Sequence, residues 1–149
     1  MLFRSVLESA NFQASSIRKT SSSLKLRTDA SMRFEKAQDP VNTVRGLARA
    51  VELLREISPG IRLVGGLADQ MREMTAPPAI VLPLVWLERK LGRAIEPAQV
   101  RRILQSLKFG FIETEPGVFL VTVPSWRATK DVAVKDDLVE EVGRMVGYD

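Results

Sequence analysis

The chain has 149 residues, 45% of them apolar and 27% charged, a globular composition that excludes a disordered tail and suffices for one medium domain or two small ones. It contains neither cysteine nor histidine, which excludes disulfides, thiolate zinc sites and histidine-based nucleophile pairs; any chemistry must rest on carboxylates, hydroxyls or backbone groups, and a cytoplasmic location is expected. A net charge of +4 and a pI near 9.8 suit an anionic partner such as RNA.

Residues 1–40 predict a strand, a helix and a second extended piece. "RSVLESANF" alternates about Val6 and carries Glu8 among apolar neighbours, and "SSIRKTSSSLKL" sets Ile17 and Leu24 seven apart, a helical spacing. "LRTDASMRFEKAQDP" ends in Asp39 and Pro40, which read as an N-cap and first helical residue. So few apolar residues cannot enclose a core, so this part is expected to lean on structure beyond it, as a cut piece of a larger domain would. From Pro40 to about Ser58, Val44, Leu47, Ala48, Val51 and Leu54 fall on one helical face with Arg45, Arg49 and Glu52 outward, and Pro59 and Gly60 stop the helix. "IRLVGG" predicts a short strand, and the proline-ended "LADQMREMTAPPA" divides the chain into 1–74 and 75–149. There are no internal repeats or low-complexity tracts. The longest apolar run, "PPAIVLPLVWLE", is broken by Pro83 and falls far short of the ~20 residues of a membrane span, and "MLFRSVLESANF" lacks a signal core and cleavage site, so neither span nor leader is expected.

The second half is more sharply patterned. Pro83 opens a helix with Leu84, Leu87 and Leu91 on one face and Gly92 closes it; a second helix begins near Pro97, with Val100, Ile103, Leu104 and Leu107 inward and Arg101, Arg102, Gln105 and Lys108 outward. "FGFIET" and "VFLVTV" flank "EPG" as a hairpin. Two helices, a hairpin and a last helix give an α+β unit in the order of a winged helix-turn-helix. In that order Arg101, Arg102 and Lys108 occupy the recognition-helix face, which reads either as a solubilising surface or as a nucleic-acid contact.

The last segment, "KDVAVKDDLVEEVGRMVGYD", gathers Asp131, Asp137, Glu140 and Glu141 in a basic chain. At about 100° per residue, Glu140 lies about 60° to one side of Asp137 and Glu141 about 40° to the other, with Leu138, Val142 and Met145 forming a separate apolar stripe. Carboxylates so close repel unless a cation lies between them, and oxygen-only ligands suit Mg²⁺; equally, acids in a first helical turn complement the helix dipole and Glu140 with Arg144 is an ordinary i, i+4 pair.

"VPSWRATKDVAVKDDLVEEVGRMVGYD" resembles the end of the B5 domain of the bacterial phenylalanine-tRNA ligase beta subunit, and "LESANFQASSIRKTSSSLKLRTDASMRFEKAQDP" resembles the end of its B3/B4 domain, in the expected order over essentially the whole chain. The resemblance implies a fragment of that subunit, a partial B3/B4 segment followed by a winged-helix-like B5 domain. It implies Mg²⁺ at a junction shared with the alpha subunit, its ligands falling on Asp131, Asp137, Glu140 and Glu141. It also implies part of a pocket that hydrolyses tyrosine wrongly attached to tRNA, on Glu8, Thr28 and Ala30; the family's pocket histidine is absent, so the pocket is expected to be incomplete. The parent enzyme would be an alpha-two, beta-two tetramer that uses ATP to join phenylalanine to tRNA(Phe). No aminoacylation motif occurs in these residues, so the piece by itself is expected to be inactive. Ala14, Ala37 and Val146 depart from the family's usual Pro, Gly and aromatic residue. Competing readings are a free-standing winged-helix nucleic-acid-binding module, a free-standing editing hydrolase, and a scaffold.

Overall fold

The computed structural model describes residues 4–71 and 75–147. Its contacts divide the chain into two compact units, Met1–Met74 and Thr75–Asp149. Tyr148 and Asp149, the end of the acidic motif, lie outside the described residues.

The first unit contains helices α1 (Ala14–Ser23), α2 (Asp29–Phe34) and α3 (Asn42–Ile57). Where sequence predicts an extended piece, α2 forms. The Ser31 amide donates to Thr28 Oγ1 and the Thr28 amide to Ser31 Oγ, a reciprocal cap that nucleates a helix too short to show a hydrophobic period. Asp39 does accept a backbone N–H, from Val41 at 3.0 Å, but this makes a turn and α3 begins only at Asn42. The strands predicted at "RSVLESANF" and "IRLVGG" do not form, because neither segment meets a backbone edge to pair with. Phe12 and Phe34 stack edge to face at 5.0 Å, and Ala14 is the one buried apolar residue of this unit among the described residues. The amphipathic face of α3 is only partly covered: Leu47, Val51 and Leu54 are half-buried, Val44 and Ile57 are exposed, and no residue of the helix is fully buried. Ala37, where the family's Gly would stand, holds a left-handed φ of +58°.

In the second unit the order is β1 (Ile80–Pro83), α4 (Leu84–Leu91), α5 (Pro97–Ser106), β2 (Gly110–Glu115), β3 (Val118–Thr122) and α6 (Lys135–Val146). The three strands form an antiparallel sheet in the order β1-β3-β2, so the architecture is α+β. Sequence reading omits β1 because Pro83, which lacks an N–H, is its last residue as well as the residue before α4. Leu82 faces Phe119 and Phe111 faces Val121 across β3, and the alternate residues Ile80, Leu82, Phe119 and Val121 are buried. Pro97 starts α5, and Gly92 ends α4 at φ +71°. Gly117 turns the hairpin at φ +76° and its carbonyl accepts the Leu84 amide at 2.7 Å, fastening the turn to the start of α4.

These elements enclose one core, of which Leu82, Leu87, Val100, Leu104, Phe119, Val121, Leu138 and Val142 are fully buried. Met145 is exposed rather than part of the α6 stripe; Val139 and Val146 pack there instead, since α6 presents a face shifted by one position at its end. No helix among the described residues is long and apolar enough to cross a membrane.

Trp86 and Trp126 both lie in this unit, so their fluorescence reports its unfolding. In urea, Leu87→Ala lowers stability by about 2–5 kcal/mol through an unfilled core volume, and Gly92→Ala by about 1 kcal/mol by forcing a Cβ into the left-handed region. Equal effects of the two substitutions would contradict this packing.

Candidate functional site

Leu138 and Val142 orient α6 by inserting into the core, and this fixes where its acids point. Asp137, in the first turn, accepts the amides of Ala133 at 2.7 Å and Val134 at 2.9 Å on one oxygen. These two N–H groups hold its carboxyl below the usual carboxylate range. Glu141, one turn later, is 8% exposed, and a carboxylate so placed needs a cation.

That cation is Arg127, on the segment between β3 and α6. Its Nη2 lies 2.9 Å from Glu141, its Nε pairs with Asp131, and its guanidinium stands 5.7 Å from the Phe109 ring centroid. The carboxylates of Glu141 first and Asp131 second raise its pKa, so Arg127 stays charged. Arg144 pairs with Glu140 and lies 3.7 Å from Glu141. The Val132 amide donates to the Arg127 carbonyl at 2.9 Å and Val132 is buried, so the segment is seated by packing as well as charge.

The four carboxylates proposed as Mg²⁺ ligands are therefore on neighbouring stretches but divided among partners. Among the described residues no three acidic side chains gather as a group able to hold a metal ion. In this arrangement each of the four has an oxygen engaged by a guanidinium or by the amides before α6, so a metal would have to compete with those partners.

The proposed nucleic-acid face is also altered by a partner. Arg101 donates through Nε at 3.1 Å and Nη2 at 2.6 Å to one oxygen of Glu113 on β2, whose other oxygen accepts the Gly117 amide at 3.0 Å. The Gly117 amide, and after it Arg101, hold the Glu113 carboxyl below its ordinary range. Arg102 and Lys108 are exposed, with Lys108 at φ +65° just past α5. Arg101 is thus a tie between helix and hairpin.

Of the three residues that the resemblance assigns to an editing pocket, Ala30 lines a cleft of about 270 Å³ in the first unit, with Asn11, Arg33, Asp39, Asn42 and Thr43. Thr28 spends its hydroxyl on the α2 cap, and Glu8 is exposed and does not line the cleft. Sequence reading missed the polar wall of this cleft and the role of Arg127, whose available signal was its i, i+4 spacing to Asp131; the pairing of Arg144 with Glu140 was read from the same spacing.

Two family models match the chain: the tRNA synthetase B5 domain over residues 80–148 and the B3/4 domain over 4–59. A phenylalanine-tRNA ligase beta subunit of Solibacter usitatus is 81% identical over 98% of this chain. The beta subunits of Porphyromonas gingivalis and Halalkalibacterium halodurans are 40% and 37% identical over 95% and 97% of it. The chain belongs to the phenylalanine-tRNA ligase beta-subunit family. It spans 19% of the length of the Solibacter protein and 17% of each of the other two. The B5 match covers the whole core of the second unit, from Ile80 to Val142.

Arg127→Met leaves Glu141 buried beside only a more distant guanidinium and lowers stability by about 2–3 kcal/mol, whereas Arg144→Met, at an exposed pair, costs below about 1 kcal/mol. Urea unfolding of both variants checks this; a larger loss for Arg144→Met would reverse the assignment.

Proposed function

We propose that this chain works as the B3/4–B5 portion of a phenylalanine-tRNA ligase beta subunit, a cytoplasmic enzyme that joins phenylalanine to tRNA(Phe) at the expense of ATP with an alpha subunit in an alpha-two, beta-two tetramer. The observation that carries this reading is the 81% identity to the Solibacter beta subunit across 98% of the chain. The role proposed for these residues is structural: a closed B5 core that presents charged surfaces to neighbours in the assembly. Adenylate formation and transfer to tRNA are assigned to the rest of the enzyme. The partial editing pocket is given no independent activity, since Thr28 is committed to a cap and Glu8 stands outside the cleft.

A Solibacter beta subunit in which the matching segment is replaced by this chain, combined with its alpha subunit, is expected to charge tRNA(Phe) to within about threefold of the parent, while this chain with alpha subunit, tRNA, ATP and phenylalanine gives none. An inactive but assembled chimera, or charging by the chain without the remaining beta subunit, would sink the reading.

A second reading places Mg²⁺ on Asp131, Asp137, Glu140 and Glu141. It is favoured by an all-oxygen donor set on adjoining turns, and it requires Arg127 and Arg144 to release those oxygens. Binding to the folded state raises the urea midpoint by mass action, so a rise in Mg²⁺ that is lost in Asp137→Asn supports it. A midpoint unchanged by Mg²⁺ leaves the carboxylates to the arginines.

A further inference from the structure

A gathering of cations on the second unit lies away from α5. Around the Trp86 ring of α4 stand Lys135 Nζ at 3.7 Å from the centroid, Arg89 at 4.5 Å and Lys90 Nζ at 4.8 Å, all within cation–π range. Lys135 arrives from the first residue of α6, so this set is made by tertiary structure. Lys90 pairs with Asp136 at 3.1 Å, whereas Arg89 and Lys135 have no ion-pair partner among the described residues. Three cations against one carboxylate leave two uncompensated positive charges on one spot. Like charges repel at such distances, and the electron-rich ring face is what offsets the repulsion.

We propose that Arg89, Lys90 and Lys135, gathered by Trp86, form a contact surface for the phosphate backbone of an RNA. The proposal rests on the function proposed above, in which the partner is a tRNA, and adds which residues meet it. Cations already cover the indole ring, so its part is to fix their positions before binding, which spares the entropy of ordering long side chains. Recognition is then of charge and not of base identity. The α5 face is the poorer candidate for the same ligand, because Arg101 is bound to Glu113 and Glu115 adds a further negative charge to the same strand.

The test uses this 149-residue chain and a fluorescein-labelled pool of bacterial tRNA, with affinity measured by anisotropy at several salt concentrations. Relative to the unaltered chain, the double variant Arg89→Gln with Lys135→Gln is expected to bind about tenfold more weakly near 100 mM salt, with the slope of log affinity against log salt smaller by about 1.4–1.8, as two lost phosphate contacts require. Arg102→Gln with Lys108→Gln should stay within about twofold. Trp86→Phe keeps an aromatic ring on α4 and weakens cation–π attraction, and is expected to fall between the two. Far-ultraviolet circular dichroism melts confirm that each variant folds. Unchanged affinity and slope in the Arg89, Lys135 variant overturn the proposal, as does an equal loss in the Arg102, Lys108 variant. If poly-L-glutamate of matched charge displaces tRNA as readily as unlabelled tRNA does, the patch is a site for an acidic polypeptide and the RNA assignment falls. A chimera that charges normally alongside such a result would leave the proposed function standing and remove this inference alone.

Discussion

A carboxylate held out of water is the constraint around which the functional half of this chain is arranged. Glu141 lies on the side of α6 that Leu138 and Val142 draw inward, so it cannot keep its hydration. Only a fixed cation can balance it, and Arg127 supplies one from a segment that would otherwise be a loose connection between β3 and α6. The same guanidinium holds Asp131 and sits by Phe109, and so the loop, the helix and the connection between α5 and β2 are set by one group. Asp137 is settled independently by backbone amides before its helix. What looks in sequence like an excess of negative charge is in space a set of acids balanced by two shared guanidinium groups and by backbone amides.

The two units show how differently one chain can use apolar residues. In the second, short elements with few residues each place a side chain in a common core, and a three-stranded sheet closes against three helices. In the first, α3 has a clear apolar stripe of which Leu47, Val51 and Leu54 are only half-buried and Val44 is exposed. Amphipathic period specifies which face of a helix is fit for burial; it does not supply the surface that buries it. One capping box, turns and one aromatic pair order this unit locally.

Legibility in the sequence follows the range of the determining interaction. Helices α4 and α5 and the β2–β3 hairpin were readable because Pro83, Gly92, Pro97 and Gly117 punctuate them and their periods are local. Strand β1 was not, since a four-residue strand ending in proline becomes a strand only by pairing with β3. Within the candidate site, helical geometry gave the relative directions of Asp137, Glu140 and Glu141, but which of them is desolvated depends on how deeply α6 sits. Arg127, Arg101 and Lys135 could be seen as charges; their partners Glu141, Glu113 and Trp86 come from other elements or lie many residues away. The acidic and basic motifs were therefore visible as composition, and of their pairings only that of Glu140 with Arg144, set by local i, i+4 spacing, was legible.

The sheet has one more property that bears on how the chain behaves in a crowded solution. Its outer strands carry exposed Val81 and Ile112, apolar side chains that could invite a strand from a neighbouring molecule. On one margin β1 ends in Pro83, which offers no hydrogen to an incoming backbone. On the other, β2 is irregular between Glu113 and Glu115, and these two acids flank the interruption. Both margins thus resist continuation of the ladder, and the fold guards itself against cross-chain β aggregation with the same short segments that complete its core.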